Sequence, residues 1–600
     1  MQDPNIALAI LSTKAQNPEA KFDKLFPKLY NVKLWLMAYE SIAANPGNMT
    51  AGVDGTTIDG MSMELIESTI ADLKASRYKP KPVRRIYIEK ANGKKRPIGI
   101  PCFRDKLLQT VARLILEAIY EPIFSDASHG FRPNRSCHTA LEQVKRIRGV
   151  KWWIEGDISG FFDNLNHDTL LGILSKRIMD KRFLLLIQQF LRAGYMEDWK
   201  YNQTYSGTPQ GGNLSPLLSN IYLNELDQAM SKKAAEFNRG ITRRKTEEYV
   251  ALCQRIRRAK KKARKTGDWK EYKALKKQQL SIPATDPFDP EFRRMYYVRY
   301  ADDFLVGISG SKADAVAIKD WLAEFLRTEL QLELSAEKTL ITNSRDRVRF
   351  LGYDIKRWKG AKVLRFPTRR GIATKRTTTE TLTLLMSKDK VQAFVRTYGN
   401  PNGWRGERRK ELLRYSELEI LMIYNAEIRG FLGYYALANN FTTVASRILW
   451  MTTTSFLKTL AAKHKSTIKK VAKRIKKGPA RYVISQQVKN GTIKEYELIA
   501  STKQLERKMV TYAQVDQIPN TMVFRGHTEL GQRLMAQKCE WCGTEEGTME
   551  VHHVRRLKDL KGKAEWEIQM LARRRKTMVL CKQCHDDLHA GRLSATKKQR

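Results

Sequence analysis

Strand-length apolar runs and longer amphipathic stretches alternate along this chain in blocks. Trp152-Trp153-Ile154-Glu155-Gly156-Asp157-Ile158 reads as a strand with an acid near its end. Met295-Tyr296-Tyr297-Val298-Arg299 and Phe304-Leu305-Val306-Gly307-Ile308 flank Tyr300-Ala301-Asp302-Asp303, so the spacing predicts a β-hairpin tipped by an acid pair. A second hairpin is predicted from Arg84 to Lys90 and from Lys94 to Pro101, turning at Asn92-Gly93 and flanked by basic residues. Leu107, Val111, Leu114 and Ile115 recur at helical spacing and predict a helix from Lys106 to Tyr120. Residues 1 to about 75 read mainly helical, broken at Pro27, at Pro46-Gly47 and at the turn Ala51-Gly52-Val53-Asp54-Gly55.

From Lys232 to Gln279 the pattern changes to dense positive charge with few strong apolar anchors. That segment reads as an insertion, a charged helical hairpin that is either simply solvated or contacts RNA. Past Phe366-Pro367 the chain reads helical as far as Lys477. Within it, Phe456 to Lys477 carries Leu457, Leu460, Ile468, Val471 and Ile475 among lysines. This predicts a helix with one apolar face and one basic face suited to a phosphate backbone. Gly478-Pro479 marks a break, a smaller mixed segment runs to about Gln537, and a Cys- and His-bearing tail follows.

Composition narrows the function classes. The 109 Lys and Arg residues against 63 Asp and Glu give a net charge of +46, while 42% hydrophobic content is enough for large cores. A disordered polyelectrolyte is thereby excluded, and nucleic acid is the favoured partner of so basic a surface with aromatics interleaved. No uninterrupted run of about 18 apolar residues is present and Met1-Gln2-Asp3-Pro4 does not open a signal peptide, so a soluble intracellular protein with no membrane partner is expected. Cys102, Cys137 and Cys253 are scattered singly and read as reduced thiols.

The chemistry sits in the acids. Asp157, Asp302 and Asp303 converging from two strand ends can hold two divalent cations about 3.5–4 Å apart, the arrangement that activates a 3′-oxygen and stabilises leaving pyrophosphate. An Asp-Asp pair in a turn is by itself ordinary turn chemistry. Tyr-Ala-Asp-Asp between apolar strands is far rarer. Phe162, five residues past the first acid, is placed to lie beneath an incoming sugar and clash with a 2′-hydroxyl; the alternative is a core phenylalanine. Thr208-Pro209-Gln210-Gly211-Gly212 lets backbone approach a ligand, with Gln210 a candidate to meet the incoming nucleotide, and Ser215 as N-cap with Pro216 at N1 opens the next helix.

Taken in order, Asp157 with Phe161-Phe162, Pro209-Gln210-Gly211, Tyr300-Ala301-Asp302-Asp303, Leu334-Ser335-Ala336-Glu337-Lys338-Thr339 and Phe350-Leu351-Gly352-Tyr353 resemble the reverse transcriptase blocks. Gly130-Phe131-Arg132-Pro133 and Ile428-Arg429-Gly430-Phe431-Leu432-Gly433-Tyr434-Tyr435 resemble the second block and the maturase domain of group II intron-encoded proteins, and the likeness covers nearly the whole chain. The resemblance implies an α+β multidomain fold: a right hand whose fingers and palm carry an antiparallel sheet, a helical thumb (domain X), a small DNA-binding segment and a ββα-metal HNH domain. The implied divisions are 1–75 as an N-terminal extension of the fingers, 76–365 as fingers and palm with a basic insertion at 232–290, 366–478 as thumb, 479–537 as DNA-binding region and 538–600 as nuclease. It also implies that Asp157 and Asp302 are the principal Mg²⁺ ligands, with Asp303 completing the cluster. Lys90 and Arg96 would grip the triphosphate, and Lys338 is a further nucleotide-site candidate.

Cys539-Glu540-Trp541-Cys542 and Cys581-Lys582-Gln583-Cys584 can supply four thiolates to one structural Zn²⁺. Four of the nine histidines are His552, His553, His585 and His589, interleaved with those cysteines. The set resembles an HNH nuclease, which implies that His553 is the general base and that His552, His585 and His589 hold one divalent ion. A histidine near its ordinary pKa suits such a base. The family's namesake asparagine would fall near Lys576, which leaves the support of His553 unassigned; the alternative is a DNA-binding finger with spare histidines.

The resemblance therefore implies a ribonucleoprotein component that binds group II intron RNA and assists its splicing, cuts one strand of target DNA, and copies intron RNA from dNTPs by target-primed reverse transcription. A cytoplasmic, bacterial setting, with nucleoid association during action on DNA, is expected. The rival from another class is a non-catalytic RNA chaperone on a reverse transcriptase fold, which loss of one of the three acids would favour. A retron or diversity-generating reverse transcriptase is not expected to carry both domain X and this tail.

Overall fold

The computed structural model describes residues 3–45, 47–89, 93, 95–197, 200–202, 206–207, 212–286, 289–358, 363–368, 371–376, 381–487, 492–505 and 526–593. At its centre is a four-stranded antiparallel sheet in the spatial order Arg294–Tyr300, Asp303–Ser309, Trp152–Gly156, Leu340–Asn343. Phe304, Leu305, Val306 and Ile308 are all buried, so the second strand is covered on both faces, which accounts for its unbroken apolar run. The helices Ser215–Phe237 and Lys312–Leu330 pack against this sheet.

The predicted basic hairpin is present as Val83–Glu89 paired with Lys95–Ile100, with Ile88 opposite Arg96. It continues through a parallel pairing into Tyr195–Glu197 and then Lys200–Asn202. The helix Phe103–Tyr120 is buried nearly throughout. N-terminal helices run Pro4–Ala15, Val32–Ala43 and Met63–Lys74. The basic insertion is a helical hairpin, Glu247–Thr266 and Lys270–Gln279, closed over its own small core of Leu252, Ile256, Ala259 and Leu275.

Three expectations need correction. The stretch after Phe366-Pro367 does not continue as helix: Val363–Thr368 pairs with Gly371–Arg376, and Leu382–Met386 joins Val348–Phe350 and Tyr353–Arg357 in a three-stranded sheet. β-Branched threonines favour strand there, and the main chain of Leu382–Met386 is paired to Tyr353–Arg357. Helices resume at Lys388–Arg396, Glu417–Tyr434 and Phe441–Lys463. The amphipathic segment from Phe456 to Lys477 is two helices, because Lys465 takes a positive φ and the Thr467 side chain caps a new helix, Ile468–Ile475. Finally, Leu214 and not Ser215 is the N-cap of Ser215–Phe237, and no side-chain cap bond is made.

The tail is a ββα unit of Met549–His553, Thr577–Cys581 and the helix Lys582–His589. Its sheet gains a third strand from the other end of the chain: Met61–Ser62 pairs antiparallel with Met549–His553. Leu534, Trp541, Met549, Val551 and Leu580 share one continuous core with Trp35, Tyr39 and the helix Phe103–Tyr120.

Candidate active sites and metal centres

Asp157 follows directly on the strand Trp152–Gly156, and Asp303 opens the adjacent strand, with Gly156 opposite Phe304. That register works only with glycine. A Cβ on Gly156 would stand 2.0 Å from the Phe304 ring, so the missing side chain lets the two acid-bearing strands meet. Asp302 occupies the hairpin tip beside Ala301, which is held at a φ of 56°.

A buried network holds that tip. Arg299, fully buried, donates to Asp227 Oδ1 at 2.8 Å and Oδ2 at 2.6 Å, to Ser128 Oγ at 2.8 Å and to the Ala301 carbonyl at 2.9 Å. Tyr297 donates to the same Asp227 carboxylate at 2.9 Å. One guanidinium thus ties the strained turn to the helix Ser215–Phe237. The pairing of Arg299 with Asp227 has no short-range sequence signal; an arginine inside an otherwise apolar strand run was its only trace.

Crowding by surrounding protein, then the charges of Asp302 and Asp157, push Asp303 up to about 7, although its side chain opens onto solvent. Burial first, and then Asp157, also lift Asp302, opposed by its own backbone N–H, Lys338 and Arg96. Lys338 donates to Asp157 Oδ2 at 2.7 Å. A cluster this short of positive charge fits hard oxygen-seeking cations. Arg96 is exposed on the basic hairpin and its charge reaches Asp302. Phe162 is half-buried on the short helix Phe161–Asn164, its ring 5.3 Å from that of Phe161. Lys90 and Gln210 lie outside the described residues, as do Thr208, Pro209 and Gly211.

The four sulfurs of Cys539, Cys542, Cys581 and Cys584 all lie within 4.8 Å of one another, a set that fits one tetrahedral thiolate site. Nearby, one nitrogen each from His552, His585 and His589 gathers in the same way, joined by a carboxylate oxygen of Asp59. Glu550 Oε2 stands 2.5 Å from His585 Nδ1, which leaves Nε2 to face the cluster. Such an outer carboxylate orients a metal-ligating imidazole, so the donors fit a divalent ion. Asp59 and Glu550 draw the His585 pKa up to about 9 against the opposing effect of burial.

His553 differs from expectation. Burial drives its pKa down to about 4, so it stays neutral at working pH but is a weaker base than one near its ordinary value. Its Nε2 lies 2.8 Å from the Tyr39 hydroxyl. It lines a cavity of about 850 Å³ together with Arg533, Arg555, Arg556, Arg575 and Lys576. Neither Tyr39 nor Asp59 could be found by motif reading, since both come from the opposite end of the chain.

Two of the recognised blocks meet elsewhere in the structure. Tyr434 donates to the Leu351 carbonyl at 2.7 Å and Tyr435 to the Gly352 carbonyl at 3.0 Å, while Tyr353 donates back to the Tyr434 carbonyl at 2.5 Å.

Three protein families match this chain. Residues 88–355 match reverse transcriptase (RNA-dependent DNA polymerase), residues 382–521 match type II intron maturase, and residues 539–585 match AI2M/AI1M-like HNH endonuclease. The chain is 42% identical to the group II intron-encoded protein LtrA of Lactococcus lactis subsp. cremoris, over 96% of this chain and 98% of that protein. It is 34% identical to an uncharacterized 91 kDa protein in the cob intron of Schizosaccharomyces pombe, over 98% of this chain and 73% of that protein. It is 32% identical to a putative COX1/OXI3 intron 2 protein of Saccharomyces cerevisiae, over 95% of this chain and 66% of that protein.

Proposed function

The chain belongs to the group II intron-encoded proteins, and on that premise we propose how its residues divide the work. It is a multifunctional intron protein: an RNA-directed DNA polymerase, a maturase that assists splicing and an HNH endonuclease that serves intron mobility.

In the polymerase, Asp157, Asp302 and Asp303 hold two Mg²⁺ ions, which when bound supply activation of the primer 3′-oxygen and stabilisation of leaving pyrophosphate. Arg96 and Lys90 on the basic hairpin hold the triphosphate, Phe162 lies under the deoxyribose and Gln210 meets the incoming nucleotide. Lys338, which pairs with Asp157, stands where it would also meet a phosphate of the incoming nucleotide. Residues 76–365 form fingers and palm on the extension 1–75, 366–478 the thumb and maturase surface, 479–537 a DNA-binding region and 538–600 the nuclease.

In the nuclease, Cys539, Cys542, Cys581 and Cys584 hold a structural Zn²⁺. His552, His585 and His589 hold the divalent ion that polarises the scissile phosphate. His553 takes a proton from the attacking water, and Tyr39 fixes the orientation of its ring. The protein works in the cytoplasm as a ribonucleoprotein with its intron RNA, on target DNA and dNTPs, with binding that weakens steeply with salt.

The placement of Asp157 and Asp303 at adjoining strand ends, with Asp302 at the hairpin tip, carries the polymerase assignment, since carboxylates gathered there suit divalent cations. The test is dNTP incorporation on a primed RNA template with Mg²⁺. Asp302→Ala should abolish extension and leave RNA binding intact. Absence of extension by folded, RNA-binding wild type would instead support a splicing chaperone with an idle polymerase fold.

A further inference from the structure

The nuclease cluster is not made by the nuclease alone. Asp59, three residues before the third strand of the nuclease sheet ends at Ser62, projects its carboxylate among the three imidazoles. Its Oδ2 is 2.8 Å from His589 Nε2, and its Oδ1 is 3.3 Å from His552 Nδ1 and 3.5 Å from His585 Nε2. The same Oδ1 accepts the backbone N–H of His553 at 2.6 Å. Gly60 N–H donates to the Val551 carbonyl at 3.1 Å, and Met61 and Ser62 stand opposite Val551 and Glu550, so the approach is fixed by main-chain pairing.

The docking reaches further than one carboxylate. Tyr39, with no solvent exposure, covers the base His553. Thr548 donates to Glu64 at 2.8 Å, and Glu40 Oε1 lies 3.0 Å from His527 Nδ1. Glu40 reaches its place because residue 531 is glycine: a Cβ there would stand 1.7 Å from its Oε1. The helix Val32–Ala43 and the segment from Asp59 to Glu64 therefore meet the metal ligands and the base together.

The chemistry of this arrangement is that of a closed site. Three imidazoles suit a borderline divalent ion, and a fourth protein ligand completes a tetrahedral shell. Sites with four protein ligands are structural, whereas a catalytic site keeps one position open for water or substrate. A carboxylate whose two oxygens between them contact all three imidazoles also fills the space that an oxygen of a DNA phosphodiester must take. We propose that Asp59 is the fourth ligand of the nuclease ion and stands in for the scissile phosphate, so that the N-terminal extension holds the nuclease shut until DNA displaces it.

Displacement has a driving force in the charge beside His553. The cavity beside His553 lies between the extension and the nuclease and is lined by Arg533, Arg555, Arg556, Arg574, Arg575 and Lys576. A duplex phosphate backbone drawn into that basic cavity is brought beside His553, whose backbone N–H the Asp59 carboxylate accepts. A ligand that binds only the undocked form shifts the equilibrium by its differential affinity, so cutting becomes conditional on DNA engagement. The inference rests on the assignment of His552, His585 and His589 as metal ligands.

The test uses the full-length, zinc-loaded protein, with Co²⁺ as probe of the imidazole site and nicking of a duplex DNA at saturating metal as second readout. Asp59→Asn should weaken Co²⁺ binding without DNA by roughly tenfold, change its visible spectrum, and raise the nicking rate several-fold. Unchanged dNTP incorporation by the same preparation verifies that the variant is folded. Slower nicking at saturating metal overturns the proposal in favour of Asp59 as a working ligand of the catalytic state. An unchanged Co²⁺ affinity overturns it outright. A Co²⁺ signal that also survives His589→Ala removes the imidazole site itself, which distinguishes failure of the nuclease assignment from failure of the latch.

Discussion

Arg299 and Asp227 form an ion pair with no solvent exposure on either side, at 2.6 Å, and the same guanidinium donates to the Ala301 carbonyl in the turn that carries Asp302. Removing one partner of such a pair leaves a buried charge unmatched and costs about 3–5 kcal/mol. Asp227→Asn and Arg299→Met should each lower the thermal midpoint and reduce dNTP incorporation at a temperature where the protein stays folded. Full incorporation by either folded variant would show that the pair supports the sheet but not the acid-bearing turn.

Gly156 sets the distance between the two acid-bearing strands. Gly156→Ala places a methyl group 2.0 Å from the Phe304 ring, so the strands must spread or the ring must move. Incorporation should fall by roughly tenfold or more, since displacement of about 1 Å at a reacting centre has effects of that size. Adding Phe304→Leu opens the space and should restore part of the rate. A double variant no faster than Gly156→Ala would refute the steric account.

These two sites show why the polymerase was legible in the sequence and its support was not. Asp302 and Asp303 announce themselves through a local pattern, two apolar runs either side of an acidic tip, and the Cys-x-x-Cys pairs through spacing alone. Arg299 was visible, but Asp227 sits in a helix 72 residues away with nothing to link them. Asp59 and Tyr39 act on His553 across separations of 494 and 514 residues, Asp59 from beside a two-residue strand that carries no periodicity and Tyr39 from the helix Val32–Ala43. The same limit explains 382–386, where pairing to Tyr353–Arg357 decided between helix and sheet, whereas 363–376 folds as a local hairpin. Tyr353 and Tyr434 each stood in a recognised block, yet only the fold brings the two blocks into contact.

The thiolate site should control the nuclease without controlling the polymerase. Cys581 ends the strand Thr577–Cys581, and Cys584 immediately precedes His585 in the helix that also carries His589. Loss of metal there releases the start of that helix and with it two imidazoles. Cys584→Ser, or zinc removal by a chelator later quenched with Mg²⁺, should abolish DNA nicking and leave primed RNA copying unchanged. Equal loss of both activities would mean that the shared core transmits the damage to the palm.

His129 makes acid sensitivity a property of the support of the strand that carries Arg299. Its ring lies 2.8 Å from Thr139 Oγ1 and 2.5 Å from Gln143 Oε1, and its backbone N–H donates to the Arg299 carbonyl. Burial, aided by the charges of Arg135, Arg132 and Arg299 and resisted by Gln143, lowers its pKa from 6.5 to about 4. The native state therefore refuses a proton that the unfolded chain accepts. The stabilisation is complete above pH 6.5, declines as pH falls toward 4, and is gone below it, because only in that window do the two states differ in bound protons. By pH 5 the loss should be about 2 kcal/mol. His129→Gln keeps a hydrogen-bonding side chain and removes the titration, so between pH 7 and pH 5 its thermal midpoint should fall less than that of wild type. Parallel curves for the two proteins would show that the imidazole is protonated in the folded state and that the acid sensitivity arises elsewhere.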